Sequence, residues 1–192
     1  MRYSPEHKEE TRRRILKAVG RGFRKEGLGG IGVDGLARGA SLTSGAFYGH
    51  FRSKTEAFRA ALVAGLDELR EGIEVFQAKF GDGWIEAFAE FYFTDRVTCD
   101  LAEGCALTSL SADVARGDVK TKAAFEEEFV PIVAALAKGL PGKSAERREA
   151  RAIVMAALFA GGVTIARSVR EKSLRDRIAR ALRDAVVVTA RG

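Results

Sequence analysis

Five places in this 192-residue chain hold side chains whose types and spacing can do chemistry. GLGGIG, residues 27–32, has the G-x-G-x-x-G spacing of a turn whose backbone amides approach a pyrophosphate. SLTSGAFYGHF, residues 41–51, sets two hydroxyls (Thr43, Ser44), two small residues (Gly45, Ala46), a phenol (Tyr48) and an imidazole (His50) in one short run. Such groups donate to phosphate oxygens and reach base edges. Cys99 and Cys105 are the only thiols, His7 and His50 the only imidazoles, and Glu126-Glu127-Glu128 forms a carboxylate run.

Most of this does not assemble into catalysis. Two histidines supply neither a triad nor a zinc set. Three consecutive glutamates on a helix point in different directions, which makes a solvated face and not a paired acid and base. The chain is therefore expected to be no enzyme, with no cofactor and no metal.

The elements that must position these residues read as helices throughout. Ser4 and Pro5 open a first helix, with Ile15, Val19 and Phe23 on one face and Gly27 placed to end it in a left-handed cap. Val33, Leu36, Ala37 and Ala40 suggest a short second helix, and Leu42-Thr43 begins a third that ends near Gly49. Ser53-Lys54-Thr55-Glu56 is a capping box opening a long fourth helix, broken at Gly81 and Gly83. Further helices are expected over about 84–99, 105–116, 119–138 and 144–170, and a last one through Leu174, Ile178, Leu182 and Ala185. Sustained period-2 alternation is absent, so no sheet is expected. A dinucleotide turn must follow a strand; GLGGIG follows a helical stretch, so its glycines are read as a helix end and a turn into the next helix.

Composition narrows the class. The formal net charge is +6. Residues 1–60 carry +7, residues 61–140 carry −8 and residues 141–192 carry +7. A basic head on an acidic middle suits a polyanionic partner. The polar start MRYSPEHKEETRRR has no apolar export segment, and the longest uncharged run, residues 152–166, is shorter than the ~20 residues of a membrane span. A cytoplasmic protein without membrane contact is expected, its two cysteines not joined by a structural disulfide.

Two short helices after a longer one form a tri-helical helix-turn-helix pattern. Here the sequence resembles the TetR/AcrR family of bacterial transcriptional regulators. The resemblance lies in VDGLARGASLTSGAFYGHFRSKTEAF, residues 33–58: the small-residue turn after Ala40, the Thr43 cap, Tyr48-x-His50-Phe51, and Lys54 at the start of the next helix. It implies an all-α fold of about nine helices, with a DNA-binding head (1–52) and a helical ligand-binding and dimerisation domain (53–192). It also implies a ligand-responsive regulator, a repressor released by a small apolar or electrophilic effector. The partners would be double-stranded operator DNA, that effector and a second copy of the chain. DNA contacts are expected from Arg38, Thr43, Ser44, Gly45, Ala46, Tyr48, His50 and Lys54, while Phe47 and Phe51 hold the helix from inside.

In the middle region Trp84, Phe88, Phe91, Tyr92, Phe125 and Phe129 suit an apolar or aromatic ligand. GCALTSLSADVARGD, residues 104–118, is similar to a motif in one branch of the family, some of whose members sense electrophiles through cysteine; Cys105 falls on that position. Ala156, Ala160, Gly161 and Thr164 put small residues on one face of the penultimate helix, suited to pairing with a mate. Alternatives from other classes are an oxidoreductase using GLGGIG and a helical adaptor that does not bind DNA.

Overall fold

The computed structural model describes residues 5–192, with side chains from residue 10 onward. Ser4 and the side chain of His7 lie outside the described residues. Among these residues there are nine α-helices and no strand: α1 (Pro5–Gly30), α2 (Val33–Gly39), α3 (Ser44–His50), α4 (Lys54–Phe80), α5 (Trp84–Thr98), α6 (Ala106–Ala115), α7 (Val119–Lys138), α8 (Ala145–Ser168) and α9 (Lys172–Arg191). Short 3-10 turns cover Gly81–Gly83 and Leu101–Glu103. The all-helical reading of the sequence holds, and its element boundaries fall close to these.

The chain divides into two compact units: residues up to Gly65 with Asp100–Phe125, and Leu66–Cys99 with Glu126–Gly192. Helix α4 is continuous from the first into the second.

In the first unit the 3.6-residue spacing of Ile15, Val19 and Phe23 buries one face of α1, together with Leu36 and Ala37 of α2, Phe47, Phe51, and Phe58 and Leu62 of α4. Phe23 and Phe58 meet edge to face at 5.2 Å. Burying each such side chain contributes roughly 1.5–3 kcal/mol, which is what holds short helices that would not persist alone. Gly27 breaks the helical path of α1 with φ +72°, a conformation that penalises any residue with a Cβ. The amide of Leu28, freed by this break, donates to Asp113 Oδ2 at 2.9 Å. Upstream, Arg24 Nε donates to the Ala102 carbonyl at 2.9 Å. GLGGIG is thus a helix end tied down by a carboxylate, with no strand before it.

In the second unit α5 buries Trp84, Phe88, Ala89, Tyr92 and Phe93, α8 buries Met155, Phe159 and Val163, and the Phe159 ring meets those of Phe88, Tyr92 and Phe93. Trp84 Nε1 donates to the Gly139 carbonyl at 3.0 Å, and Gln77 Nε2 to that of Ala135 at 2.8 Å. Near the end of α8, Arg167 donates from Nε and Nη2 to the Arg96 carbonyl at 2.9 and 2.6 Å and from Nη2 to that of Cys99 at 3.0 Å. These carbonyls close the C-terminus of α5, where the helix leaves its own acceptors open.

Helix α8 is long and apolar enough to cross a membrane by length and composition alone. Its Ala152, Met155, Ala156, Phe159, Val163 and Ala166 positions are buried in the unit. Its small residues divide differently from the expectation: Ala156 belongs to that buried face, whereas Gly161 and Thr164 are exposed. The exposed stripe is Val154, Ala157, Gly161 and Thr164, flanked by Ile153 and Ile165, which are 46% and 56% exposed.

Candidate nucleic-acid interface

The helix-turn-helix begins where α2 ends. Ala40 donates to the Leu36 and Ala37 carbonyls, both at 3.1 Å, and Leu42 to the Ala37 carbonyl at 2.8 Å. Ser41 takes φ +57°, so the turn is tight enough to place a side-chain-bearing residue in the left-handed region. Thr43 then caps α3: its Oγ1 accepts the Ala46 amide at 3.1 Å. Ser44 Oγ donates to Asp34 Oδ1 at 2.5 Å, joining the first residue of α3 to the first turn of α2.

With Phe47 and Phe51 buried at 0% and 2%, the opposite face of α3 points outward. Gly45, Ala46, Tyr48 and Gly49 are all exposed, Tyr48 at 56%. A Cβ at Gly49 would meet nothing within 4 Å. The face is therefore a slim surface with one projecting phenol, and a helix of this profile can enter the ~12 Å major groove. Arg38 is exposed in the last turn of α2. His50 ends α3 half-buried, 6.4 Å from the Phe51 ring.

The start of α4 differs in detail from a reciprocal capping box. Ser53 Oγ accepts the Glu56 amide at 3.1 Å, but the Glu56 carboxylate accepts the amide of Arg52, also at 3.1 Å, one residue earlier. Lys54 Nζ donates to the Ile31 carbonyl at 3.0 Å, fixing the α1–α2 connection to the head of α4. An ammonium has three protons, so this bond leaves two for a phosphate. Asp34 and Arg52 were not singled out from the sequence. Arg52 had a signal, an exposed cation between His50 and Lys54; Asp34 had none, since only the fold brings it to Ser44.

The residues expected at a ligand site divide between the units. In the second, Trp84, Phe88 and Tyr92 are buried. Tyr92 and Phe159 lie 4.5 Å apart between centroids, Phe88 and Phe159 5.3 Å, and Phe76 of α4 reaches Phe88 at 5.2 Å and Phe91 at 5.4 Å. Phe129 is half-buried on the same unit's part of α7. In the first unit Phe125 is half-buried, and Cys105, the residue before α6, is 8% exposed. Both cysteines are free thiols. Among the described residues no cluster of His, Cys, Asp and Glu fit to hold a metal is present.

Residues 15–61 match the model of bacterial regulatory proteins of the tetR family. The HTH-type transcriptional regulator SrpR of Pseudomonas putida is 41% identical over 56 residues, which are 29% of this chain and 26% of that protein. The match thus spans about a quarter of the curated relative's length. Among solved structures, a TetR-family transcriptional regulator from Cytophaga hutchinsonii superposes with a TM-score of 0.76 at 18% identity, over 98% of each chain. The reduced form of E. coli NemR does so with 0.72 at 21% identity, over 91% of this chain and 96% of that one. The chain therefore has the fold of these regulators, with a tetR-type helix-turn-helix at its N-terminal end.

Proposed function

We propose that this chain, with its tetR-type head and the fold of that family's regulators along its length, is a DNA-binding transcriptional regulator that responds to a small molecule. The observation that carries the reading is α3. Phe47 and Phe51 lock one side into a core, while Gly45, Ala46, Tyr48 and Gly49 stand clear on the other. Residues 1–52 act as the head and residues 53–192 as the sensing and pairing part. Thr43, Ser44, Gly45 and Ala46 approach base edges; Tyr48, His50 and Lys54 hold phosphates. No Arg or Asn lies within residues 43–49 to read a base bidentately, so selectivity rests on hydroxyl and apolar contacts, on Arg38 and on DNA shape.

One such head covers little DNA, and two-fold operators are read by dimers with half-sites ~34 Å apart. The exposed stripe of α8 supports pairing with a second copy, since small residues let helices approach closely. Release follows from α4. Its Phe76 sits in the aromatic cluster around Phe88, and its first turn follows the recognition helix. An apolar effector entering among Phe88, Phe91, Tyr92 and Phe129 displaces Phe76 and shifts α4, so the two heads no longer match their grooves. A coupling of about 1–3 kcal/mol weakens operator binding about 5–150-fold. An electrophilic effector is the narrower form of this reading. Cys105 is buried, so only a small reagent reaches it without opening α6.

Selection of genomic fragments on the purified protein, followed by anisotropy titration of the retained duplexes, tests the assignment. Retention of fragments with paired half-sites, released on adding an apolar effector, is the expected result. Failure to retain any fragment rejects the regulator reading in favour of a helical adaptor.

A further inference from the structure

One end of the second unit gathers cationic side chains around a cleft. The loop at 141–143 enters α8 beside the end of α9, and between them lies a cleft of about 740 Å³. Its charged lining is Lys143, Arg147, Arg151 and Arg191; Pro141 and Ala150 add apolar wall, and no Asp or Glu side chain lines it. The volume falls in the range of small-molecule pockets, about 300–1,000 Å³.

The four cations play different parts. Arg151 is built in: Nη1 donates to the Ala190 carbonyl at 2.8 Å, Nη2 to that of Pro141, and Nε to that of Arg147 at 3.4 Å. Arg148 Nη1 takes the Gly142 carbonyl at 2.5 Å, so two arginines pin the loop from the α8 side. Arg191 pairs with Glu86 at 2.5 Å. Lys143 and Arg147 are exposed, and among the described residues their side chains make no hydrogen bond or ion pair. A merely solvated basic face interleaves its charges with acids, as α9 does with Lys172–Asp176 at 2.6 Å and Arg183–Glu90 at 2.8 Å. Here Arg191 has Glu86, but Lys143, Arg147 and Arg151 bring like charge to one concavity with no acidic side chain in its lining, an arrangement whose repulsion a bound anion relieves.

We propose that this cleft binds a small organic anion, a carboxylate or phosphate ester on an apolar body. Arg151 is the fixed positive floor and Lys143 and Arg147 are the two contacts that close on the head group. The argument does not lean on free amides at the start of α8, because Ser144 Oγ already accepts the Arg147 amide at 3.2 Å. It is also independent of DNA binding and of the aromatic cluster around Phe88.

Isothermal titration of the full chain with 1-naphthyl phosphate and with 1-naphthoate tests it. At least one of the two is expected to bind, and the Lys143→Gln/Arg147→Gln double variant to bind it about tenfold more weakly or worse. 1-Naphthol, which has the apolar body without the charge, is expected not to bind. Both substituted residues are exposed, so the thermal midpoint should not move. Arg177→Gln, on the basic face of α9, should leave binding unchanged. The proposal is overturned if neither anion binds at millimolar concentration, if the double variant binds as the parent does, if naphthol binds equally, or if Arg177→Gln loses as much as the double variant.

Discussion

Ser44 Oγ and Asp34 Oδ1 stand 2.5 Å apart, so the first residue of α3 is tied to the first turn of α2. The bond spans the turn held by Ala40 and Leu42. Ser44 is among the residues proposed to meet DNA, and a carboxylate beside it repels phosphate.

Asp34→Ala removes the tie and the charge together. The stability loss should be modest, about 0.5–1.5 kcal/mol, since an exposed hydrogen bond exchanges with water. Specificity should suffer more, because non-specific binding gains from the lost negative charge while α3 loses its register. The ratio of operator to random-duplex affinity is expected to fall at fixed salt, with Asp34→Asn, which keeps an acceptor, closer to the parent in thermal midpoint. A ratio unchanged in Asp34→Ala would mean that the bond does not set the reading geometry.

Tyr48 and Lys54 separate contact from scaffold. Tyr48 is 56% exposed, so Tyr48→Phe should change stability by no more than about 0.5 kcal/mol. If its hydroxyl holds a phosphate, operator affinity falls about fivefold. Lys54→Ala also loses the bond to the Ile31 carbonyl, so weaker binding alone says little about it. The salt dependence decides: a phosphate contact lowers the slope of log K against log salt by about one, whereas a purely structural lysine leaves it unchanged.

The legible part of this protein is the part written in short-range terms. Helix starts came from Thr43, Ser53 and Ser144, each of whose side chains accepts a backbone amide three residues on. The inward faces came from period, as with Ile15, Val19 and Phe23. What sequence alone could not give was pairing at a distance. Asp113 meets Leu28 across 85 residues and Arg167 meets Arg96 across 71; nothing local distinguishes either from an ordinary surface charge. The faces of α8 were misassigned at Ala156 for a related reason: with alanine or glycine at several positions on every side, period cannot say which face is buried. At the candidate interface, Lys54 is legible as a cation at a helix start, but its bond to Ile31 depends on how α1 and α2 join.

Two backbone sites predict opposite signs. At Gly27, with φ +72° and ψ 170°, a region essentially reserved for glycine, a Cβ would also come 3.2 Å from Asp113 Oδ2, so Gly27→Ala should destabilise by about 1–3 kcal/mol. At Ser41, with φ +57°, a residue with a Cβ already bears a positive-φ penalty, so Ser41→Gly should stabilise by up to about 1 kcal/mol. Urea unfolding of the two variants measures both; midpoints moving in the same direction would contradict the turn geometry.

Glu128 gives the pH prediction. Its neighbours Glu126 and Glu127 are exposed, but Glu128 is half-buried on α7. Burial pushes its carboxyl above the usual range, the Asp67 carboxylate adds to this, the Arg70 guanidinium opposes it, and Glu127 adds again. Arg70 is itself shared, with Asp67 at 2.5 Å and Glu74 at 3.0 Å. A carboxyl that holds its proton more tightly folded than unfolded favours the fold below the unfolded value, ~4.3, and that contribution is lost as pH rises through the raised folded value. At neutral pH the ionised Glu128 is then a cost. Glu128→Gln, neutral at every pH, should be more stable than the parent near pH 7 and should lose that advantage below about pH 4, where Glu128 is protonated in both states. Urea midpoints of the two proteins across this window measure the difference; an advantage of the same size at both ends would assign it to packing and not to charge.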